Sequence, residues 1–355
     1  MSLATFPSDP PLTKDEEAKK IQEVKAKHVT WLVSYVLEEE LPPIKHTLDE
    51  CYALLAPVLP GNTLVLSTPR NERVKGTVTR VGTRIVKANM HLQLQTQPAQ
   101  TISLRPKCNI HMPQLVTLSN HLDEAVKITT ATFDFPASPS FIKAQLRLLS
   151  NLITDSVAIL KGPTSSSPST GSAAVPALDH GFDTAWTVQS CASEHLEPDP
   201  GPHLSCHFSL ADSLILLTIR VLEPAQAPVA LGTKLGLAIG TVRRIEHDEV
   251  GKVFDYVYHT SDPMDRPPIT PHPPRDPEDP APREPYRGGG PLMTRTPDKI
   301  TPGQFTPVLV REKVRVETAD PKLMSLLVKL SSLKVTLARV ETNLAAVLES
   351  NGRST

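Results

Sequence analysis

Leu323, Leu330, Leu337 and Leu344 recur every seven residues, and Leu326, Leu333, Val340 and Val347 run beside them as a second sevenfold series. Two apolar rows three or four residues apart form one seam, the a/d pattern of a helix packed along its length on other helices. The spacing predicts one helix over 320–349. Asp320 is a good N-cap, Pro321 suits a first turn where its missing N–H does no harm, and Asn351-Gly352 offers a left-handed stop. About thirty residues, each rising about 1.5 Å, make a rod of about 45 Å. What fills its seam decides the fold.

A DNA-binding leucine zipper needs a continuous basic helix just upstream. Instead Val308, Val310, Val314 and Val316 fall on even numbers, with Arg311, Lys313 and Arg315 on odd ones. Period two predicts a strand over 308–317, not a basic helix. A seam closed inside the same chain, as a helical bundle, is the better reading. The alternative is a zipper-type transcriptional regulator or a homodimeric coiled-coil scaffold.

At 355 residues the chain is long enough for two domains. Its 37 basic and 38 acidic residues leave a net charge of −1, so no global field points to nucleic acid or an anionic membrane. Cys51, Cys108, Cys191 and Cys206 lie far apart without a C-x-x-C pair, which predicts free thiols in a reducing compartment. Residues 1–12 lack a signal-peptide pattern, and no apolar run reaches membrane-spanning length. These features predict a soluble cytosolic protein, recruited to membranes only through partners.

Along the chain, Thr13 and Glu16 have capping-box spacing. Ile21, Val24, His28, Trp31, Leu32, Tyr35 and Val36 then keep one helical stripe, with His28 as a core or boundary residue and an end before Pro42-Pro43. A second helix is predicted over 44–55, with Leu48, Cys51 and Leu55 on one face. The period then drops to two. Leu64 and Leu66 start a strand, residues 74–81 and 85–94 form a hairpin around Gly82-Thr83, and Ile102 and Leu104 mark a further strand. In the hairpin's second arm Val86, Ala88, Met90, Leu92 and Leu94 face one way, with Lys87, Asn89, His91 and Gln93 opposite. Helices return from Leu115 to Thr129 and from Ser138-Pro139 to Gly162-Pro163. Two strands follow, 204–208 and 213–222, turning at Ala211-Asp212. Shorter extended pieces are predicted over 235–239 and 253–258. Residues 163–176 read as a flexible linker. Fourteen prolines between Ser261 and Pro307 read as a disordered insertion, with Thr-Pro steps at Thr270, Thr296 and Thr301.

Runs of like elements predict an α+β fold. Residues 13–57, 110–161 and 320–349 form a discontinuous helical bundle. Residues 62–106, 203–258 and 308–317 form a discontinuous antiparallel β domain, its two strand groups meeting as one sheet domain.

A search for chemistry returns little. There is no G-x-S-x-G elbow and no phosphate-binding P-loop; Gly288-Gly-Gly290 lacks a strand before it and a helix after it. His111 has no second histidine nearby, and His203 and His207 fall about 13 Å apart on one strand face. Asp248 and Glu249 read as solvated loop carboxylates. No catalytic, cofactor-binding or metal-ligating residue is assigned, no cofactor is implied, and the chain reads as a non-enzyme. Lys87, His91 and Gln93 are exposed candidates for meeting a partner on the β face.

The order of helical ends, the hairpin 74–94 with Val74, Lys75 and Gly76, the strand pair 204–222, Gly251 with Phe254, Asp255 and Tyr256, and a closing leucine-heptad helix resembles the Rogdi family. That family includes the small fungal subunit of the RAVE complex, and the long proline-rich insertion resembles a fungal elaboration. The resemblance implies an elongated helical domain joined to a β domain. It also implies a non-catalytic adaptor working with a large WD-repeat scaffold, a Skp-type adaptor and peripheral V1 subunits of the vacuolar proton-pumping ATPase. Its expected role is reunion of V1 with the membrane sector, from a cytoplasmic pool recruited to vacuolar and endosomal membranes.

Overall fold

The computed structural model describes residues 13–68, 73–134, 138–162, 183–225, 249–262, 266, 269–274, 300 and 302–352. Among them, helices α1 (Lys14–Tyr35), α2 (Leu41–Leu54), α3 (Pro113–Asp134), α4 (Pro139–Lys161), α5 (Trp186–Gln189) and α6 (Pro321–Gly352) accompany ten strands. The strands are β1 (Asn62–Ser67), β2 (Val74–Val81), β3 (Arg84–Leu92), β4 (Gln100–Leu104), β5 (Ile110–His111), β6 (Leu196–Glu197), β7 (Leu204–Ala211), β8 (Leu214–Pro224), β9 (Val253–Val257) and β10 (Phe305–Ala319). The class is α+β, as the element order predicts. The linker 163–176 and the extended piece 235–239 lie outside the described residues. The chain divides into two units: residues 1–53, 121–157 and 328–355, and residues 54–120 and 158–327.

The first unit is helical. Its entry is fixed by the capping box, in which the Glu16 carboxylate accepts the Thr13 N–H at 3.0 Å and the Thr13 hydroxyl at 2.8 Å. Contrary to the sequence expectation, the helix does not stop before Pro42-Pro43. A π-turn over Val36–Glu40 joins α1 to α2, with the Leu41 N–H bonding the Val36 carbonyl. Prolines have no N–H for the α ladder, and a wider turn just ahead of them relieves the clash their rings would make with preceding carbonyls. The extra residue also has a packing consequence. Val29, Leu32 and Val36 are buried, and the stripe resumes five residues on, at Leu41, Ile44, Leu48 and Cys51. Only a five-residue step keeps these two runs on one face.

This corrects the expected stripe on α1, of which Leu32 and Val36 are buried as expected. Ile21, Val24, Trp31 and Tyr35 are exposed, and so is His28; the buried face lies one residue further round. The α1 sequence carries the helical period but not its phase, because apolar residues occupy two adjacent rows. The interior of this unit is completed by Leu122 and Ala125 of α3, Ile142, Leu146, Leu149 and Ile153 of α4, and Leu330, Leu333, Leu337, Val340 and Leu344 of α6. Alongside the seam, Lys329 reaches Glu50 at 2.6 Å and Arg339 reaches Glu40 at 3.1 Å. The heptad leucines are therefore buried by their own chain; only Val347 at the far end is half-buried.

The second unit holds the strands, which form two antiparallel sheets. The first runs β1-β2-β3-β4-β6, with β5 paired to β3; the second runs β7-β8-β10-β9. The β2–β3 hairpin turns at Gly82, whose φ of +61° suits glycine. An extra residue at Val86 breaks the β2–β3 register, so Ile85 is buried and Val86 only half so, while Ala88, Met90 and Leu92 keep the expected face. The β7–β8 hairpin turns at Asp212-Ser213, both at positive φ, one residue later than expected. That shift has a partner: the Asp212 and Ser213 N–H groups bond the carbonyls of Lys161 and Leu160 at 2.9 and 2.7 Å, closing the C-terminus of α4. Gly162 (φ +73°) permits this approach, since a Cβ there would lie 2.5 Å from the Leu210 oxygen.

At the junction of β10 and α6, Asp320 is fully buried. It caps α6 by accepting the Lys322 N–H at 3.0 Å, and it also accepts Asn62 Nδ2 at 3.0 Å and Arg80 Nε at 2.6 Å from β1 and β2. Arg80 donates as well to the Gly82 carbonyl. A second buried carboxylate, Glu312 on β10, accepts the N–H groups of Gln95 and Thr96 and the Thr96 hydroxyl, all at 2.8–3.0 Å. The two sheets are thus joined through hydrogen-bonded carboxylates.

If the seam is structural, an unpaired charge inside it unfolds the helical unit. Leu330→Asp or Leu337→Asp should each cost at least about 3 kcal/mol, measured as a lower urea midpoint and lost helicity. A variant that stays folded but loses a concentration-dependent dimer would instead identify an intermolecular coiled coil.

Candidate interaction site

The even-numbered valines of β10 suggest one apolar face, but the strand has a register irregularity between Val310 and Glu312. Before it, Val308 and Val310 share a face with Leu222; after it, Val314 and Val316 pair with Ile219 and Leu217 on the opposite face. All four valines are buried, two on each side of the sheet. The face carrying Val308 and Val310 begins as an apolar cluster with Leu222, Phe254 and Tyr256, covered by Trp186 of α5. Trp186 lies 5.2 Å from the Phe254 ring and 5.8 Å from that of Tyr256.

Further along, the same face turns polar. Register aligns Ser205, Arg220 and Lys313, then His207, Thr218 and Arg315. Arg220, Lys313, His207, Thr218 and Arg315 line a cleft of about 310 Å³, together with Lys161, Asp183, Asp212 and Glu249. Arg220 is buried between an aromatic and an acid. Its guanidinium carbon sits 4.4 Å over the Trp186 ring, and it grips Glu249 through Nε at 2.5 Å and Nη2 at 3.0 Å. Lys313 Nζ adds a third bond to Glu249 at 2.8 Å.

Glu249 is therefore not the solvated loop carboxylate expected beside Asp248, which lies outside the described residues. It is buried, and burial alone would raise its pKa. The hydrogen bonds and charges of Arg220 and Lys313 outweigh that and hold the carboxyl below its usual range. Three formal charges at one point on a sheet left no sequence signal, because Glu249 is far from its partners in the chain. His207 faces the same cluster. Burial pushes its pKa down to about 4, and Arg220 acts in the same direction, against the pull of Asp183 and Glu249. It is neutral at physiological pH.

The remaining candidates are placed as follows. Lys87, His91 and Gln93 are exposed on and just beyond β3, and His91 Nδ1 meets the Thr101 hydroxyl at 3.1 Å. His111 pairs with Asp262, Nδ1 to Oδ1 at 3.1 Å, rather than with another histidine. His203 precedes β7 and His207 lies within it; among the described residues no group of His, Cys, Asp and Glu has a metal-holding arrangement. Gly288 to Gly290 lie outside the described residues. The start of the proline-rich tract is held by specific contacts: Arg266 donates to the carbonyls of Val188, Ser190 and Ser261, and His272 stacks on Phe305 at 4.7 Å.

Reactive chemistry is scarce at these positions. The thiols of Cys51 and Cys206 are pushed up to about 12 by burial, and Cys191 is raised further by burial and by Cys206 beside it. A protonated, buried thiol is a poor nucleophile. In the cleft, Arg220, Lys313 and Glu249 are committed to one another.

A protonation-linked effect follows from His207 and from His259, whose pKa is also about 4 through burial and Arg266. Unfolded, both titrate near 6.5. Between about pH 6.5 and 4 the unfolded chain binds protons that the native chain refuses, so stability falls on acidification, by up to about 1.4 kcal/mol per pH unit for each group. His207→Asn should roughly halve that slope in urea titrations between about pH 6 and 4.5. The depressed Glu249 acts in the same direction at lower pH: its stabilisation is present above the unfolded carboxylate value and is lost as pH falls below it.

Comparison with known proteins came to two results. A family model described as Rogdi leucine zipper containing protein matches residues 28–345, and the search of curated proteins gave no match.

Proposed function

This chain belongs to the Rogdi leucine zipper family, and from that premise we propose that it is a non-catalytic adaptor subunit of a RAVE-like complex. Its task is to promote reunion of the peripheral V1 sector with the membrane sector of the vacuolar proton-pumping ATPase. Its partners are a large WD-repeat scaffold, a Skp-type adaptor and V1 subunits, and it reaches vacuolar and endosomal membranes by way of them. The observation that carries this reading is the family match along residues 28–345. It is supported by side chains that are paired for structure rather than poised for reaction: Arg220 with Glu249, Arg80 with Asp320, and buried, protonated thiols. No helix among the described residues is long and apolar enough to cross a membrane, which fits recruitment through partners.

The mechanism is mass action. An adaptor that holds free V1 near its membrane partner raises their effective concentration and makes assembly nearly intramolecular, with no bond made or broken by the adaptor. The zipper-regulator alternative is not favoured, because Leu323, Leu326, Leu330 and Leu337 are fully buried within one chain and leave no seam for a second.

Deleting the gene should slow V1 reassembly after glucose is withdrawn and restored, measured as V1 subunits returning to vacuolar membranes. Affinity purification of the intact protein should recover the WD-repeat scaffold together with V1 subunits. Normal reassembly in the deletion strain would reject the proposal.

A further inference from the structure

The row on α1 that reads from the sequence as core is an exposed apolar surface. Ile21, Val24, Trp31 and Tyr35 are 55%, 49%, 66% and 40% exposed. With His28 they stand at 21, 24, 28, 31 and 35, alternating steps of three and four. That is two heptads of an a/d seam, about 20 Å long. The Trp31 and Tyr35 rings are already stacked, with centroids 5.6 Å apart, and so form a rigid aromatic pair at one end. From Asp15 to His28 every residue is exposed except half-buried Lys25. A helix segment this short with little buried is marginal alone and gains stability from a partner.

We infer that this row is a docking seam for an acidic amphipathic helix of another protein, and not for a second copy of this chain. The charge beside the seam decides between them. The buried row Val29, Leu32 and Val36 closes one flank. The open flank carries Lys20 and Lys27, seven residues apart and both exposed. In an antiparallel pair of identical helices, Lys20 of one chain would meet Lys27 of the other, and like charges there oppose association. A helix with apolar a and d positions and Asp or Glu on the facing flank fills the seam and neutralises both lysines. The chain's own stretches at 163–182, 226–248 and 275–299 supply no such sequence: they carry prolines, or the bases Lys234, Arg243 and Arg244, where acids are needed. Trp31 is the anchor expected to dominate the contact, since a large aromatic removed from water in an interface contributes disproportionately.

The inference deepens the adaptor reading by giving the chemistry of one docking partner, yet its test does not pass through the ATPase. Hydrogen exchange on the full-length protein is followed at residues 15–35 with two synthetic helical peptides. Both have leucine at a and d; one has glutamate at e and g, the other lysine. The acidic peptide should slow exchange over 15–28 by about tenfold or more, and the basic one should not. Trp31→Glu and Val24→Glu, at exposed positions, should abolish that protection with an unchanged thermal midpoint. The pair Lys20→Glu and Lys27→Glu should reverse the preference toward the basic peptide. Equal protection by both peptides would overturn the inference. So would strong protection of 15–28 in the protein alone, with sedimentation separating a self-dimer from coverage by the chain itself. Because the exchange readout and the reassembly assay are independent, failure of one is distinguishable from failure of the other.

Discussion

The joint at Asp320 is the constraint on which the rest of the β unit depends. One buried carboxylate caps the closing helix, accepts Asn62 and Arg80 from the first sheet, and terminates the longest strand of the second. Replacing such a pair with apolar residues is often neutral for stability, so its value lies in geometry: the hydrogen bonds are satisfied in one arrangement of β1, β2, β10 and α6 and left broken in others. Glu312 works in the same way with Gln95 and Thr96. The Arg220–Glu249–Lys313 cluster fixes the approach to β8 and β10 of the chain that precedes β9. The β unit is held by apolar faces, and its register is set by three buried carboxylates.

In the helical unit, register is set by an inserted turn. The π-turn at Val36–Glu40 lets two apolar runs share a face despite a five-residue step and the two prolines that follow. Ahead of it, a buried row and an exposed row lie side by side on α1. The same helix thereby serves packing with Val29, Leu32 and Val36 and presents Ile21, Val24, Trp31 and Tyr35 outward. A surface that satisfies its own core has nothing left to offer a partner, whereas an exposed apolar row does.

Two irregularities in the strands matter in a similar way. The break at Arg311 distributes the β10 valines to both faces, and this gives the second sheet an apolar patch under Trp186 beside a charged cleft. The positive φ at Asp212 and Ser213 turns two N–H groups onto the end of α4. Each is a local departure from regular pairing that makes a specific tertiary contact.

Element types and most boundaries were legible in the sequence, because period, caps and prolines act within a few residues: the capping box at Thr13 and Glu16, the start of α4 at Pro139, the Gly82 turn and the heptad of α6 all follow local rules. So did the closed seam, since the strand before it excluded a basic zipper. Phase and partnership were not legible. Whether His28 faces the core, which way Val310 and Val314 point, that the strands split into two sheets, and that Glu249 is buried against Arg220 all depend on residues far away in the chain. A one-residue bulge or π-turn reverses a face without changing the pattern of letters, and a buried charge is recognisable only when its counter-charge is in place. Which segments are helices and which are strands follows from local conformation; which of their faces meet is set by long-range burial and pairing between residues distant in the chain.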